Sequence, residues 1–248
     1  MKKKLTIAAI LFLAVNGLMA QTTPKFRFGI GGNTGYAWLK PTSKGMTSGD
    51  GQAGFGYGLM FDYNLSDNYA ISTGLDINYR GGSLVFDGNL ISSDTSHKIL
   101  AGATKINLQY LEIPLQLKMK TKAIGYFTYF AAFGGSLGFA LSRTGSYALY
   151  QGKPVTPSIN NISIADDKLD KYTNPVAVSL IINIGTEYNI SGKTSLVGSL
   201  FFNNSFVDIL SNPVITSPSP SNPSSTTTAT YTTSSRANVL GIKLGIFF

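Results

Sequence analysis

The most persistent regularity along the chain is a period of two. Phe55, Tyr57, Leu59, Phe61 and Tyr63 alternate with Gly56, Gly58, Met60 and Asp62. Tyr69, Ile71, Thr73, Leu75, Ile77 and Tyr79 alternate with Ala70, Ser72, Gly74, Asp76, Asn78 and Arg80. The stretch from Val176 to Ile190 and the stretch from Leu240 to Phe248 repeat the pattern. On an extended strand this spacing gathers the apolar side chains on one face. Eight such segments are legible, at about 25–39, 51–63, 68–80, 105–119, 125–142, 174–190, 194–207 and 236–248. Most reach the ~9–11 residues that a tilted transmembrane strand requires.

The connections add independent information. Three are short, at 64–67, 120–124 and 191–193. Four are long, at about 40–50, 81–104, 143–173 and 208–235, and the two kinds alternate. Outer-membrane barrels have short periplasmic turns and long external loops. The pattern therefore predicts an all-β fold, an eight-stranded antiparallel up-and-down transmembrane β-barrel. An even strand count with this loop order places both termini on the periplasmic side.

Three segments need a local reading. In 105–119 the apolar positions switch phase: Ile106, Leu108 and Tyr110 are even, Leu111, Ile113, Leu115 and Leu117 odd. A β-bulge near Tyr110 would produce that switch, and Pro114 cannot donate to a ladder. Residues 123–142 carry no charge, so a hydropathy window reads them as a spanning helix. Yet Phe127, Tyr129, Phe133, Leu137, Phe139 and Leu141 alternate with small residues, and Gly125, Gly134, Gly135 and Gly138 disfavour a helix. A strand is expected. Residues 211–235 are nearly all Ser, Thr, Pro and Asn, which predicts an external loop without order of its own.

The second face of the strands separates a membrane barrel from a soluble one. Soluble strands turn charged and polar side chains to water. Here the second face is Gly, Ala, Ser and Asn with sparse charge, which suits the filled interior of an eight-stranded barrel. The apolar face would be bare in water. Tyr36, Trp38, Tyr63, Tyr69, Tyr79 and Tyr188 lie near strand ends and are expected as membrane-interface aromatics. Ordinary sheet aromatics are the alternative for each.

Composition agrees with this picture. Charged residues are 13% of the chain, well below the ~25% of soluble domains. There are 27 Gly and no Cys, so no disulfide staples the fold. At the N-terminus, Lys2, Lys3 and Lys4 precede an apolar run from Leu5 to Leu13, and Ala20 supplies a small residue before Gln21. That is the layout of a secretory signal peptide over 1–20, followed by a barrel domain over 21–248. An uncleaved anchor is the alternative, but the run is shorter than the ~20 residues a spanning helix needs. With no Cys to acylate, lipoprotein anchoring is excluded. Removing the three lysines leaves 17 basic against 12 acidic residues, a net charge of +5 without any basic cluster. Nucleic acid, whose backbone is tracked by clustered cations, is not an expected partner.

Candidate chemistry is thin. The single His, His97, stands beside Ser96 and near Asp94 in a long connection. A nucleophile, base and acid need a scaffold that orients all three, and adjacent loop residues do not supply one. Asp166, Asp167 and Asp170 could hold Ca²⁺, but Lys168 and Lys171 interrupt them and no EF-hand spacing is present. Gly29, Gly31, Gly32 and Gly35 lack the third glycine of a dinucleotide loop, position 34 being Thr, and read as strand glycines. No catalytic, cofactor-binding or metal-binding residue is assigned. The charges that fall on interior faces are Asp62, Asp76, Arg80, Glu112, Glu187 and Lys243. Buried charges need partners. Several are expected to form an ion-pair network plugging the lumen, with Glu187 and Lys243 as candidates.

The stretch Tyr110-Leu-Glu-Ile-Pro-Leu-Gln-Leu-Lys118 resembles the PorT-like family of outer-membrane β-barrel proteins. Gly185-Thr-Glu-Tyr-Asn-Ile-Ser-Gly-Lys193 is similar to that family's penultimate hairpin, and Lys243-Leu-Gly-Ile-Phe-Phe248 to the insertion signal that ends such barrels. The resemblance implies outer-membrane lipid as surroundings and the barrel-assembly machinery as a partner that reads Phe248. It does not carry over the secretion role attached to one member, so envelope or secretion partners stay unnamed. The expected function is a non-enzymatic outer-membrane protein acting through external loops, with a side-chain-plugged lumen. A small channel or solute-binding barrel is the first alternative, and an outer-membrane hydrolase the second.

Overall fold

A computed structural model describes residues 25–43, 46–87, 99–153, 156–162, 173–210, 214–219, 222–230 and 234–248. Eight strands close a barrel: β1 (Phe26–Pro41), β2 (Met46–Asn64), β3 (Tyr69–Asp87), β4 (Ile99–Lys120), β5 (Phe127–Lys153), β7 (Val176–Ser191), β8 (Thr194–Ser205) and β11 (Ser235–Phe247). Each is antiparallel to its neighbours, and the β1–β11 pairing completes the ring. The segment around 123–142 is β5 and not a helix. The short connections gather at one end, with the start of β1 and the end of β11. At the β7–β8 turn, Gly192 sits at φ 56°, a left-handed conformation that favours Gly over any residue with a Cβ.

The strands run further than the period of two showed. The ladders between β3 and β4 and between β4 and β5 continue through Asp87 and Gln151. Much of the expected 40–50, 81–104 and 143–173 connections is therefore paired strand, and β6 (Thr156–Ile162) folds back on the far end of β5. Within 211–235, where no order of its own was expected, 214–219 and 222–230 form strands. β9 (Val214–Ser219) and β10 (Asn222–Thr230) pair as a separate hairpin. Thr226, Thr227 and Thr228 are β-branched, a residue type that favours a pleated ladder.

The expected bulge near Tyr110 is not on β4. The β3–β4 register passes through Tyr79↔Gln109, Asn78↔Tyr110 and Ile77↔Leu111 without a shift. The irregularity belongs to β5, where Gln109 pairs with Ser142 and Tyr110 with Ala140, leaving Leu141 as the extra residue. Even positions of β4 face inward from Ile106 to Lys118. What changes along the strand is the chemistry of the two faces. Between Leu111 and Met119 the outward side chains are apolar and the inward ones, Pro114 apart, polar. Between Lys105 and Gln109 the inward side chains are apolar and the outward ones polar. β1 and β3 invert at the same end, with Leu39 and Leu84 inward and Lys40 and Ser83 facing away.

Candidate functional site

Among the described residues the barrel interior concentrates buried polar side chains, and it is layered. At the short-turn end four charged side chains alternate in sign across the lumen. Lys118 donates to Asp62 Oδ2 at 2.7 Å and to Glu187 Oε1 at 2.6 Å. Arg27 donates to Glu187 Oε2 at 2.7 Å and to the Ser195 hydroxyl. Ser72 donates to the second Asp62 oxygen at 2.7 Å. The four charged residues come from β1, β2, β4 and β7, and each of the three ion pairs, β2 to β4, β4 to β7 and β7 to β1, joins two strands that are not ladder neighbours. Phe247 supports it from β11, with the Arg27 guanidinium 4.5 Å and the Lys118 ammonium 5.0 Å from its ring centre. Two charges taken from water are tolerated only when paired and hydrogen-bonded, and both carboxylates here meet that condition.

The middle layer is a second set. Arg80 and Glu112 form a buried ion pair. Asn78 donates to Glu112 at 2.7 Å and accepts from Asn33 at 2.9 Å. Lys243 donates to Asp76 at 2.9 Å. Asn183 donates to Gln116 at 3.0 Å. The cavities left between these side chains are about 40 and 20 Å³, room for about one water each.

The long-loop end is closed by apolar side chains. Leu39, Leu84, Ile106, Leu108 and Tyr110 meet Ile209 and Leu210, which follow β8 and turn inward. That segment is pinned on both sides. Ile209 N–H donates to Ser235 O at 2.7 Å, and Thr173 and Leu210 form an isolated bridge. Arg143 donates to Thr173 O at 2.7 Å.

All six charges expected in the interior sit there, but Glu187 and Lys243 fall in different layers with different partners. Two further charges, Arg27 and Lys118, join Glu187 beyond the six expected in the interior. Their signal was present: Lys118 shares the even phase of Glu112 and Gln116, and Arg27 the odd phase of Gly29 and Asn33. Tyr36, Tyr63, Tyr69 and Tyr188 are exposed on the outer surface. Trp38 and Tyr79 are partly covered by neighbouring rings, Trp38 by Tyr36 and Phe202 and Tyr79 by Phe55. Phe248 N–H donates to Phe28 O at 2.8 Å, which fastens the end of β11 to β1. Residues 1–20, the His97 group and Asp166, Asp167 and Asp170 lie outside the described residues. Among the described residues no cluster of His, Asp or Glu is arranged to hold a metal.

A closed antiparallel barrel with an apolar outer band and a polar, side-chain-filled interior is a transmembrane barrel. The family profile described as outer membrane protein beta-barrel domain matches residues 19–211, and the chain belongs to that family: it is an outer-membrane β-barrel protein. No curated protein matches it. Among solved structures it is similar to the outer membrane protein OprG from Pseudomonas aeruginosa, at 12% identity and a TM-score of 0.42, covering 89% of this chain and 94% of that one. Neisserial surface protein A matches at 10% identity and a TM-score of 0.41, with 89% and 97% covered. The outer membrane protease OmpT from Escherichia coli matches at 9% identity and a TM-score of 0.40, with 93% and 99% covered.

Proposed function

We propose that this protein is a non-enzymatic, non-conducting barrel that presents the long-loop end outside the cell, in an envelope structural or interaction role. The observation that carries the reading is the filled interior: among the described residues an apolar layer, a polar layer with cavities of about 40 and 20 Å³, and an ion-paired layer stand in series. An ion crossing the apolar layer would lose its hydration without gaining a partner. The short-turn end then faces the periplasm, and the chain reaches the membrane through a cleaved signal peptide.

The inversion of the two faces supports a position for the bilayer. The lipid band ends near Gln109 and Leu111 on β4, and above it the barrel continues as a water-exposed wall around an apolar core. Tyr36, Trp38 and Tyr79 stand at that upper limit, and Tyr63, Tyr69 and Tyr188 at the lower one. A wall extended above the membrane holds the long connections as a rigid platform, which is the geometry an interaction surface needs.

Planar-bilayer recording of refolded protein tests the reading. The expected trace shows no stepwise conductance at either polarity. Steady single-channel steps of reproducible size would overturn it in favour of a small channel.

A further inference from the structure

The short-turn mouth of the barrel holds a cavity of about 500 Å³ above the ion-paired layer. Its floor is electrically balanced, because Arg27 and Lys118 face Glu187 and Asp62 in paired contacts. Its rim is not balanced. Lys120, Lys122 and Lys193 line it against the single acidic side chain Asp67, an excess of two positive charges. Lys120 ends β4, Lys122 lies in the segment after it, Lys193 comes from the β7–β8 turn and Asp67 from the β2–β3 turn. Lys120 is oriented by Asn64, to whose oxygen it donates at 2.6 Å. The Thr121 hydroxyl accepts from Tyr129 N–H at 3.2 Å, which leaves its own proton to point elsewhere. The mouth thus gathers three ammonium groups and a hydroxyl donor around one concave space. Lys is suited to phosphate as a point charge that needs no planar match.

We infer that this mouth is a binding site for a phosphate group, held by Lys120, Lys122 and Lys193. The ring of Tyr63, Tyr69, Tyr126 and Tyr188 on the outer wall at this end places the site at headgroup height. The phosphate can therefore come from a lipid headgroup or from a soluble phosphate compound. The site does not depend on whether the lumen conducts.

Calorimetric titration of the refolded full-length protein with inorganic pyrophosphate tests the inference. It is run in a neutral detergent, in phosphatidylcholine nanodiscs, and in nanodiscs with added phosphatidic acid. Saturable binding in detergent is expected, weakened at least ~10-fold in the Lys120→Gln/Lys122→Gln double variant and unchanged in Lys105→Gln at the opposite end. Loss of that binding only when phosphatidic acid is present identifies a lipid source, and equal binding in both nanodiscs a soluble one. If the double variant does not refold, the exposed Lys122→Gln/Lys193→Gln pair replaces it. Absence of saturable binding in the wild type, or full retention in a folded lysine variant, would overturn the site.

Discussion

Leu108 and Lys118 point into the same lumen from one uninterrupted strand, yet Leu108 sits in an apolar core and Lys118 between two carboxylates. Ten residues of strand separate them, about 33 Å along β4. A single strand therefore passes through two solvents. Its lower part is polar inside because lipid surrounds it, and its upper part is apolar inside because water does.

The Lys118 position yields the strongest stability prediction. Lys118→Met removes the ion-pair partner of Asp62 and one of the two partners of Glu187, the other being Arg27, and leaves one buried negative charge in excess. Breaking such a pair costs about 3–5 kcal/mol. Urea unfolding followed by the fluorescence of the lone tryptophan, Trp38, should show a loss of that size. Adding Asp62→Asn to Lys118→Met should recover most of it, because Arg27 and Glu187 then remain as a balanced pair. If the double variant is no more stable than the single one, the ion pairs are not what the lysine supplies.

The apolar layer predicts a contrast between two leucines on the same strand. Leu108 is 2% exposed inside the barrel, and Leu115 is 62% exposed on the outer face. Leu108→Ala should cost about 2–5 kcal/mol through the cavity it leaves. Leu115→Ala should cost much less, since lipid refills the space. Equal losses in paired urea titrations would contradict the assignment of the upper interior as a packed core.

The barrel was legible in the sequence because a strand has only two faces and the membrane paints one of them continuously. Strand order, the short turns and the interior positions of Asp62 and Glu187 follow from that alternation. The upper barrel was not legible by the same rule. There the environment outside changes from lipid to water, and an even-phase run such as Ile106, Leu108 and Tyr110 looks like a slip of register when it is a change of solvent. The inward turn of Ile209 and Leu210 had no periodic signal, since it depends on Ser235 and Thr173, both distant in sequence. Lys118 could have been found by extending the even phase of β4 through its whole length.

The upper limit of the lipid band is testable by charge insertion. Leu115→Arg places a cation against the middle of the apolar wall, where it costs about 2–4 kcal/mol. Asn107→Arg stands on the same outer face beyond the inversion and should cost no more than about 1 kcal/mol. Folding into phosphatidylcholine vesicles, measured by the gel mobility difference between boiled and unboiled samples, separates the two. A severe defect in Asn107→Arg would move the membrane boundary upward past Lys105.

The β1–β11 seam depends on a glycine pair. Gly35 and Gly241 are register partners, and a Cβ built on Gly35 would lie 2.7 Å from the Gly241 Cα, closer than real Cβ atoms come. The opposing backbone cannot yield without breaking the ladder that closes the barrel. Gly32, on the outer face of the same strand, has its nearest neighbour at 3.5 Å, ordinary contact for an added methyl group. Gly35→Ala should therefore lower the fraction that reaches the compact, heat-modifiable form, whereas Gly32→Ala should fold as the wild type does. Both substitutions change the unfolded chain alike, because each replaces Gly by Ala. The difference between them isolates the close approach at the seam, and equal folding yields for the two variants would remove the steric argument for Gly35.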